Sequence, residues 1–483
     1  MLNICLKTGL VAIALLLVPL IDPALAADPT PVEAAKAAAD AAQSSADSAW
    51  MLISTALVLL MTPGLAFFYG GFVRAKHVLN TLMMTFIMIG IVGVTWALFG
   101  YSLSFAPGTP FIGGLDWMFL NKVSAAVGDY LPALPYEDAL KADNPKYANL
   151  TSYAGTIPHQ LFMLYQMTFA IITPALISGA IVERMSFKAY FWFILLWSSV
   201  LYPVFAHMVW AKGGFLGLAG GLGALDFAGG TVVHISSGVS ALVAAWVLGP
   251  RKTYPNQPAA PHNVPFVLLG TGILLFGWFG FNGGSALASG SLATTAIVTT
   301  VLSACTAGLV WVIMEWVLRG KPTAIGIATG IVAGLVGITP AAGFVTPMSA
   351  LLIGAITSTC CFFAVSLKAK LQFDDSLDTF PIHGVGGTVG AILTAVFADI
   401  SVNAGGKDGV LRGNFGELGV ELVAIAVTYV IAGVGTFAIL KLLGVFMPLR
   451  SKEESEYEGL DINEHGEEAY GEEIASGLSY SAK

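Results

Sequence analysis

Long apolar runs separated by short polar segments dominate this chain. There are eleven such runs, and most are close to the roughly 20 residues that an α-helix needs to cross the hydrocarbon core of a bilayer. They contain glycine, proline and threonine, which membrane helices accept more readily than soluble ones. The sequence therefore predicts eleven membrane-spanning helices, at 50–71, 79–103, 157–181, 189–208, 231–249, 264–283, 293–318, 323–340, 345–367, 380–397 and 419–447.

Composition supports an all-α polytopic membrane protein. Of the 483 residues, 56% are hydrophobic and 11% are charged, whereas a soluble domain has about 25% charged residues. The net charge of −8 arises largely from an acidic C-terminal tail and an acidic loop at 104–156, which we expect to be external. No basic stripe indicates binding to a nucleic acid.

The four cysteines indicate neither a metal site nor a cofactor. Cys5 lies in a targeting segment, and Cys305, Cys360 and Cys361 lie within apolar spans without metal-ligand spacing. We interpret the latter three as small core residues.

The N-terminus has the features of a secretory signal at 1–26. Lys7 precedes a short apolar run, and Ala24-Leu25-Ala26 supplies small residues for cleavage. The alternative is an uncleaved first helix, although the run is short for a span. Cleavage leaves a polar, alanine-rich leader at 27–48, mobile or weakly helical, then a transmembrane domain at 49–449 and a tail at 450–483.

Basic residues predict how the chain is oriented. With the mature N-terminus outside, the inner loops hold 12 lysines and arginines and the outer loops hold 6. This excess on the inner side predicts a multi-pass protein of the inner membrane with a cytoplasmic C-terminal tail.

Two histidines occupy similar places in two apolar helices. His234 follows Asp226 near the start of the fifth span, and His383 follows Asp378 at the start of the tenth. An ionisable side chain within a membrane span marks a substrate or ion pathway by default. A lone histidine would be interpreted as a core residue, but two in matching places indicate one shared pore. Zinc binding is the rival hypothesis, and neither helix offers a third ligand.

A weak internal repeat supports the shared pore. Phe67–Gly71 at the end of the first span is similar to Gly280–Gly284 at the end of the sixth. Since each half has five spans, an odd number, the second half must be inserted with the opposite orientation. Inverted repeats place a substrate site at the repeat interface near the membrane midplane. The eleventh span lies outside the repeat and leads to the tail.

Four motifs resemble those of ammonium transporters of the Amt/Mep/Rh family. They are DFAGGTVVHI at 226–235, WFGFNGGS at 278–285, DDSLDTFPIHGVGG at 374–387 and EHGEEAY at 464–470. The resemblance extends from about Ala49 to Tyr470. It implies eleven helices, two inverted five-helix halves plus a final helix, a pore in each subunit and a homotrimer.

The resemblance also implies a cation recruitment site and a gate. Trp210, Phe169 and Ser285 match the aromatic cage and hydroxyl that capture ammonium through cation–π contacts and a hydrogen bond. Phe169 and Phe281 match the paired rings that exclude hydrated ions. Without the resemblance, Trp210 would be interpreted as an interfacial anchor.

Three further residues match the family's conduit. Asp226 matches an aspartate below the recruitment site, with an electrostatic role there, and it is also suited to cap the helix that follows. His234 and His383 match a twin-histidine pair. Burial favours neutral imidazoles, each with one donor and one acceptor, so ammonia would pass them while its proton travels along the pair.

The resulting hypothesis is an ammonium transporter that imports its substrate, not an enzyme. In similar proteins the tail supports regulation, including by PII-type signalling proteins, so such a partner is expected at the tail. The alternative function is an ammonium sensor that signals through the tail. A membrane hydrolase is disfavoured because no Ser/His/Asp set or HExxH motif is present.

Overall fold

The computed structural model describes residues 30–125, 127, 153–256 and 260–470. The predicted signal peptide at 1–26 and about half of the acidic loop at 104–156 lie outside the described residues. Contacts divide the chain into two units, Met1–Ser45 and Ala46–Lys483. The described part of the first unit is helical from Pro31, and nearly all its side chains are exposed.

Apolar helices make up most of the second unit, and the first of these helices begins in the first unit. Within the described residues, ten helices are long and apolar enough to cross a membrane, and an eleventh, Ala324–Ile338, is shorter at 15 residues. In chain order they are α1 (Pro31–Phe72), α2 (Ala75–Phe105), α3 (His159–Ile181), α4 (Phe187–Trp210), α5 (Gly230–Leu248), α6 (Val264–Ala286), α7 (Ser291–Arg319), α8 (Ala324–Ile338), α9 (Pro347–Lys370), α10 (Phe380–Phe397) and α11 (Gly416–Phe446). Every predicted span falls on one of these helices, so the predicted all-α polytopic architecture is confirmed.

Helix α1 begins well before the span predicted at 50–71. Its start is a capping box, in which Thr30 and Glu33 satisfy each other's backbone N–H groups. The alanine-rich sequence that follows has a high helix propensity. The described part of the predicted leader is therefore a regular helical extension of α1.

Helices α5 and α10 cross closely, and this crossing positions the two histidines. A Cβ atom on Gly238 of α5 would lie only 2.2 Å from the backbone nitrogen of Gly384 of α10. A larger side chain there would force the helices apart. Both helices begin with a π-helical turn that contains the histidine, Gly230–Ile235 in α5 and Phe380–Val385 in α10.

A buried charge network joins four loops at the end of the bundle where the tail lies. The Glu183 carboxylate accepts from Arg74 at 2.9 Å and from Arg251 at 3.0 Å. Arg251 also pairs with Asp374 at 2.8 Å. These residues come from the loops that precede α2, follow α3, precede α6 and precede α10. Because each charge has a partner, the network fixes the loops without leaving an uncompensated buried ion.

This network predicts a loss of stability in acid. Burial opposes ionisation of Glu183 and Asp374, but His77 and two arginines outweigh it at Glu183 and two arginines outweigh it at Asp374. The pKa of both carboxyl groups therefore lies below the usual value. A lowered carboxyl pKa contributes stability above the unfolded-state pKa, and that stability is lost as the pH falls. We expect the melting temperature in detergent to fall by on the order of 5 °C between about pH 5 and about pH 2, because the pKa of Glu183 in the folded protein is about 2.

The matched variant for this prediction is Glu183→Gln, which removes one of the two titrating groups. It should melt at a lower temperature than the parent at neutral pH and depend less on pH. An equal pH dependence in the parent and the variant would contradict the assignment of this effect to Glu183.

Candidate functional site

An aromatic cavity of about 110 Å³ opens at the end of the bundle opposite to the tail. We call it the outer vestibule. Its lining residues are Phe105, Tyr153, Phe162, Gln166, Phe169, Trp210, Phe227, Ser285 and Leu287. The structure thus brings together the three predicted recruitment residues Trp210, Phe169 and Ser285, which come from α4, α3 and α6.

The rings and the hydroxyl of the vestibule are held by specific contacts. The Trp210 and Phe169 rings are perpendicular, with centroids 5.7 Å apart. The Trp210 indole N–H donates to the backbone carbonyl of Asp226 at 3.1 Å. The Ser285 hydroxyl donates to the Phe281 carbonyl at 2.7 Å. Because its proton is engaged there, this hydroxyl offers acceptor lone pairs to the vestibule.

Two residues at this site were not identified from the sequence: Gln166, which lines the vestibule, and Tyr165, which lies beside the Ser285 hydroxyl. Tyr165 donates to the carbonyl of Gly280 at 2.8 Å and lies 3.3 Å from the Ser285 hydroxyl. The Gln166 side-chain oxygen is buried without a hydrogen-bond partner among the described residues. Their helical spacing could have identified them, because residues three and four positions before Phe169 lie on the same face of α3 as Phe169.

Two phenylalanine rings form the floor of the outer vestibule. The centroids of Phe169 and Phe281 are 4.4 Å apart, with the rings inclined at 41°. Both side chains are buried. The predicted gate residues are therefore in contact, and they separate the vestibule from a second cavity deeper in the bundle.

The two histidines meet directly beneath the Phe281 ring. The Nδ1 atoms of His234 and His383 are 3.2 Å apart, and the rings are inclined at only 22°. His234 stacks against Trp278 at 5.6 Å and against Phe281 at 6.0 Å. Its Nε2 atom has no hydrogen-bond partner among the described residues. A hydrogen bond between the two Nδ1 atoms requires that one of them carries a proton and the other accepts it.

The cavity beside the histidines is small and apolar. It has a volume of about 20 Å³, which holds about one molecule the size of water. Apart from His234 and His383, its walls are Met61, Leu65, Phe68, Ile172, Leu176, Val233, Leu274, Trp278, Phe281 and Val332. The two imidazoles thus supply all the polar side chains of this cavity.

A third cavity continues towards the tail side. It also measures about 20 Å³, and His383 borders it as well as the cavity above. Its other walls are Phe68, Tyr69, Phe72, Thr329, Val332, Leu377, Asp378, Thr379 and Ile382. We call this third cavity the exit cavity. Four features thus follow one another across the bundle: the outer vestibule, the phenylalanine pair, the histidine cavity and the exit cavity.

Asp226 lies under the vestibule and caps α5. Its carboxylate accepts the backbone N–H groups of Gly229, Gly230 and Thr231 at 2.7, 2.6 and 2.8 Å. It also accepts the Thr231 hydroxyl. Because both oxygens are engaged in this cap, the carboxylate is not presented to the vestibule as a direct ligand.

Asp375 is the counterpart of Asp226 in the second half of the chain. Its carboxylate accepts the backbone N–H groups of Thr379 at 3.1 Å and Phe380 at 2.7 Å, at the start of α10. Asp226 and Asp375 each stand eight residues before a histidine, at 234 and 383. This equal spacing was the signal in the sequence that the two aspartates have the same capping role.

The tail packs against the starts of two helices. The Asp461 carboxylate accepts the backbone N–H groups of Leu79 at 3.0 Å and Asn80 at 2.8 Å, at the start of α2. Glu464 accepts the N–H of Phe187 at 3.2 Å, at the start of α4. These acidic groups cap helix termini that favour negative charge, so the EHGEEAY motif and the residues before it form a docked segment.

Comparisons with known proteins agree with this arrangement. Residues 49–470 match the Ammonium Transporter Family. The ammonium transporter of Bacillus subtilis is 48% identical over 87% of this chain and 97% of its own length. That of Aquifex aeolicus is 45% identical over 87% of this chain and 92% of its own.

Solved structures give the same result for the fold. The crystal structure of Saccharomyces cerevisiae Mep2 matches 85% of this chain and 88% of its own, with 35% identity and a TM-score of 0.75. A structure titled Sensor Amt Protein matches 88% of this chain and 99% of its own, with 29% identity and a TM-score of 0.75. The family and the fold predicted from the motifs are confirmed: the chain belongs to the ammonium transporter family.

Proposed function

We propose that this protein imports ammonium across the inner membrane by capturing the cation, releasing its proton and passing ammonia between two imidazoles. The observation that carries the proposal is the contact between His234 and His383 at 3.2 Å. This contact lies in an apolar cavity with room for about one water-sized molecule. Such a cavity accommodates ammonia and excludes a hydrated ion.

Capture takes place in the outer vestibule. The faces of Trp210 and Phe169 attract a cation through their ring quadrupoles, and the Ser285 hydroxyl accepts one of the ammonium hydrogen bonds. Asp226 acts through its charge and through the backbone that it orders, since its carboxylate is engaged in the α5 cap.

Passage below the vestibule favours the neutral molecule. An ammonium ion would lose its hydration between Phe169 and Phe281, and burying an unpaired charge is far more costly than burying a neutral amine. Ammonia exchanges hydrogen bonds with the imidazoles of His234 and His383 instead. The hydrogen bond between the rings gives the released proton a route along the pair.

The test is ammonium-dependent growth and uptake in cells that lack their own ammonium transporters. Expression of this protein should restore both at low external ammonium. Absence of uptake, with the protein present in the membrane and correctly assembled, would overturn the proposed function.

Replacing Trp210 should weaken capture. The change Trp210→Leu removes the cation–π face and the indole bond to the Asp226 carbonyl while leaving an apolar side chain. We expect the half-saturating ammonium concentration for uptake into proteoliposomes to rise by about 3- to 30-fold. The variant Trp246→Leu, on an exposed tryptophan of α5 remote from the vestibule, is the control. An unchanged half-saturating concentration in Trp210→Leu would contradict the recruitment role.

The proposed membrane setting follows the distribution of basic residues. Residues 1–26 are removed as a signal peptide, the leader at 27–48 and the outer vestibule face outward, and the tail at 450–483 is cytoplasmic. The docking of the tail at the end of the bundle that carries Arg74 and Arg251 supports this orientation. N-terminal sequencing of the purified mature protein tests the cleavage.

Each subunit is proposed to hold its own pore within a homotrimer, and a PII-type protein is proposed to bind at the tail. The homotrimer is tested by the mass of the detergent-purified complex. The proposed partner is tested by copurification of a PII-type protein with the full chain and its loss on deletion of the tail after Lys452.

Ammonium sensing is the alternative function. It is favoured by the similarity to the structure titled Sensor Amt Protein and by the docked tail, which joins the starts of α2 and α4. If it holds, deletion of the residues after Lys452 should abolish an ammonium-dependent response and leave uptake intact. Loss of uptake in parallel with the response would favour transport alone.

A further inference from the structure

A buried carboxyl group on α11 holds the chain next to Asp226. Glu421 is fully buried, and its Oε1 atom accepts the backbone N–H of Leu225. Its Oε2 atom has no hydrogen-bond partner among the described residues. Burying an incompletely paired polar group costs stability. The helix therefore carries an unfavourable group at the position that contacts the segment leading to Asp226.

A second contact holds the same segment from the loop before α11. The Lys407 ammonium donates to the carbonyl of Gly223 at 2.8 Å and pairs with Glu417 at 3.3 Å. Glu417 lies one turn before Glu421 on α11. Gly223 has a φ of +89°, which favours glycine and gives the segment a sharp bend. We call Lys407, Glu417 and Glu421 the α11 clamp.

The clamp acts on the residue that orders the vestibule. Asp226 follows Leu225 directly, and its carbonyl accepts the Trp210 indole N–H at 3.1 Å. The next residue, Phe227, lines the vestibule and donates its backbone N–H to the carbonyl of Pro340 at 3.1 Å. A displacement at Leu225 would move both the acceptor of the indole and a wall of the vestibule.

We propose that Glu421 is a positioning residue of the ammonium recruitment site. It touches no substrate: it fixes Leu225, which fixes the Asp226 carbonyl and through it the Trp210 ring. This inference rests on the proposed function and adds a residue from outside the vestibule. It follows that α11, which lies outside the inverted repeat, contributes to the affinity of the protein for ammonium.

The test compares Glu421→Leu with Glu421→Gln in proteoliposomes loaded with the full-length protein. Leucine matches the apolar bulk of the side chain but leaves the Leu225 N–H without its acceptor. Glutamine keeps a side-chain oxygen in place. For Glu421→Leu we expect the half-saturating concentration of labelled ammonium to rise by about 5- to 30-fold, with the maximal rate changed by less than about 3-fold. For Glu421→Gln we expect values within about 2-fold of the parent.

A control separates positioning from a general effect of removing a buried carboxyl group. Glu315 of α7 is also buried, and it accepts the backbone N–H of Thr323 at 2.7 Å, far from the vestibule. Glu315→Leu should leave the half-saturating concentration unchanged. If Glu421→Leu does not assemble, Lys407→Met tests the inference instead. This change removes the contact with the Gly223 carbonyl, and it is better tolerated because the Lys407 side chain is partly exposed. It should raise the half-saturating concentration by about 3-fold or more.

Three results would overturn the inference. They are an unchanged half-saturating concentration in an assembled Glu421→Leu protein, a fall in its maximal rate alone, and equal impairment of Glu421→Gln and Glu421→Leu. If Glu421→Leu does not assemble, an unchanged Lys407→Met would do the same. A parent protein that transports no ammonium would instead refute the proposed function, so the two failures are distinguishable.

Discussion

Replacing His234 with alanine is expected to lower the rate of ammonium transport by about 10- to 100-fold. The cavity beside the histidines has no polar side chain other than the two imidazoles. Loss of one ring removes half of the hydrogen-bonding capacity available to the substrate and interrupts the contact between the rings. The measurement is the initial rate of labelled ammonium uptake into proteoliposomes at saturating ammonium, for His234→Ala and His383→Ala.

The control for this prediction is another buried histidine of the same bundle. His207 of α4 contacts the backbone carbonyls of Ser104 at 3.0 Å and Thr109 at 2.7 Å, and it does not line the conduit. His207→Ala should keep most of the transport rate per assembled protein. Parental rates in His234→Ala would show that the imidazole pair is not on the transport pathway.

Replacing Asp226 with alanine is expected to have the largest effect, a loss of more than about 100-fold in transport together with lower stability. The carboxylate accepts three backbone N–H groups at the start of α5 at distances of 2.6–2.8 Å. Alanine leaves these donors without a partner in a buried position. The segment that carries the Trp210 contact and the turn that carries His234 would both be displaced.

Asp375→Ala provides the matched comparison, because Asp375 caps α10 in the same way. Both variants should have lower melting temperatures. Only Asp226→Ala should also raise the half-saturating ammonium concentration of any remaining transport, because Asp375 lies on the tail side, away from the vestibule. Transport at the parental rate by Asp226→Ala would contradict the role of the cap.

The spans were predictable from the sequence because each is a long apolar run. A run of that length is long enough to cross the bilayer, and in lipid a helix satisfies all of its backbone hydrogen bonds. The short helix α8 also followed from this signal. The helical extension of α1 was less predictable, since alanine-rich polar segments are compatible with both a helix and a mobile leader. Thr30 and Glu33, which form the capping box there, were the local signal for the helix.

The line of the conduit was predictable from motifs, because His234, His383 and Phe281 lie within them. Their contacts depend on how α5, α6 and α10 pack, which no local pattern specifies. The role of Glu421 could not be predicted in this way. A glutamate near the start of an apolar helix is typical of an exposed helix end, and only the packing of α11 against residues 222–225 places it in the interior.

The most direct test of a narrow, water-poor conduit lined by two imidazoles is a paired flux measurement on the parent protein. Uptake of labelled ammonium and of labelled rubidium, a cation of similar size, is measured in the same proteoliposomes. If the substrate loses its proton before reaching His234, ammonium should enter at a saturable rate at least about 100-fold above that of rubidium. Entry of rubidium at a rate comparable to that of ammonium would contradict the account, because the conduit would then carry intact cations.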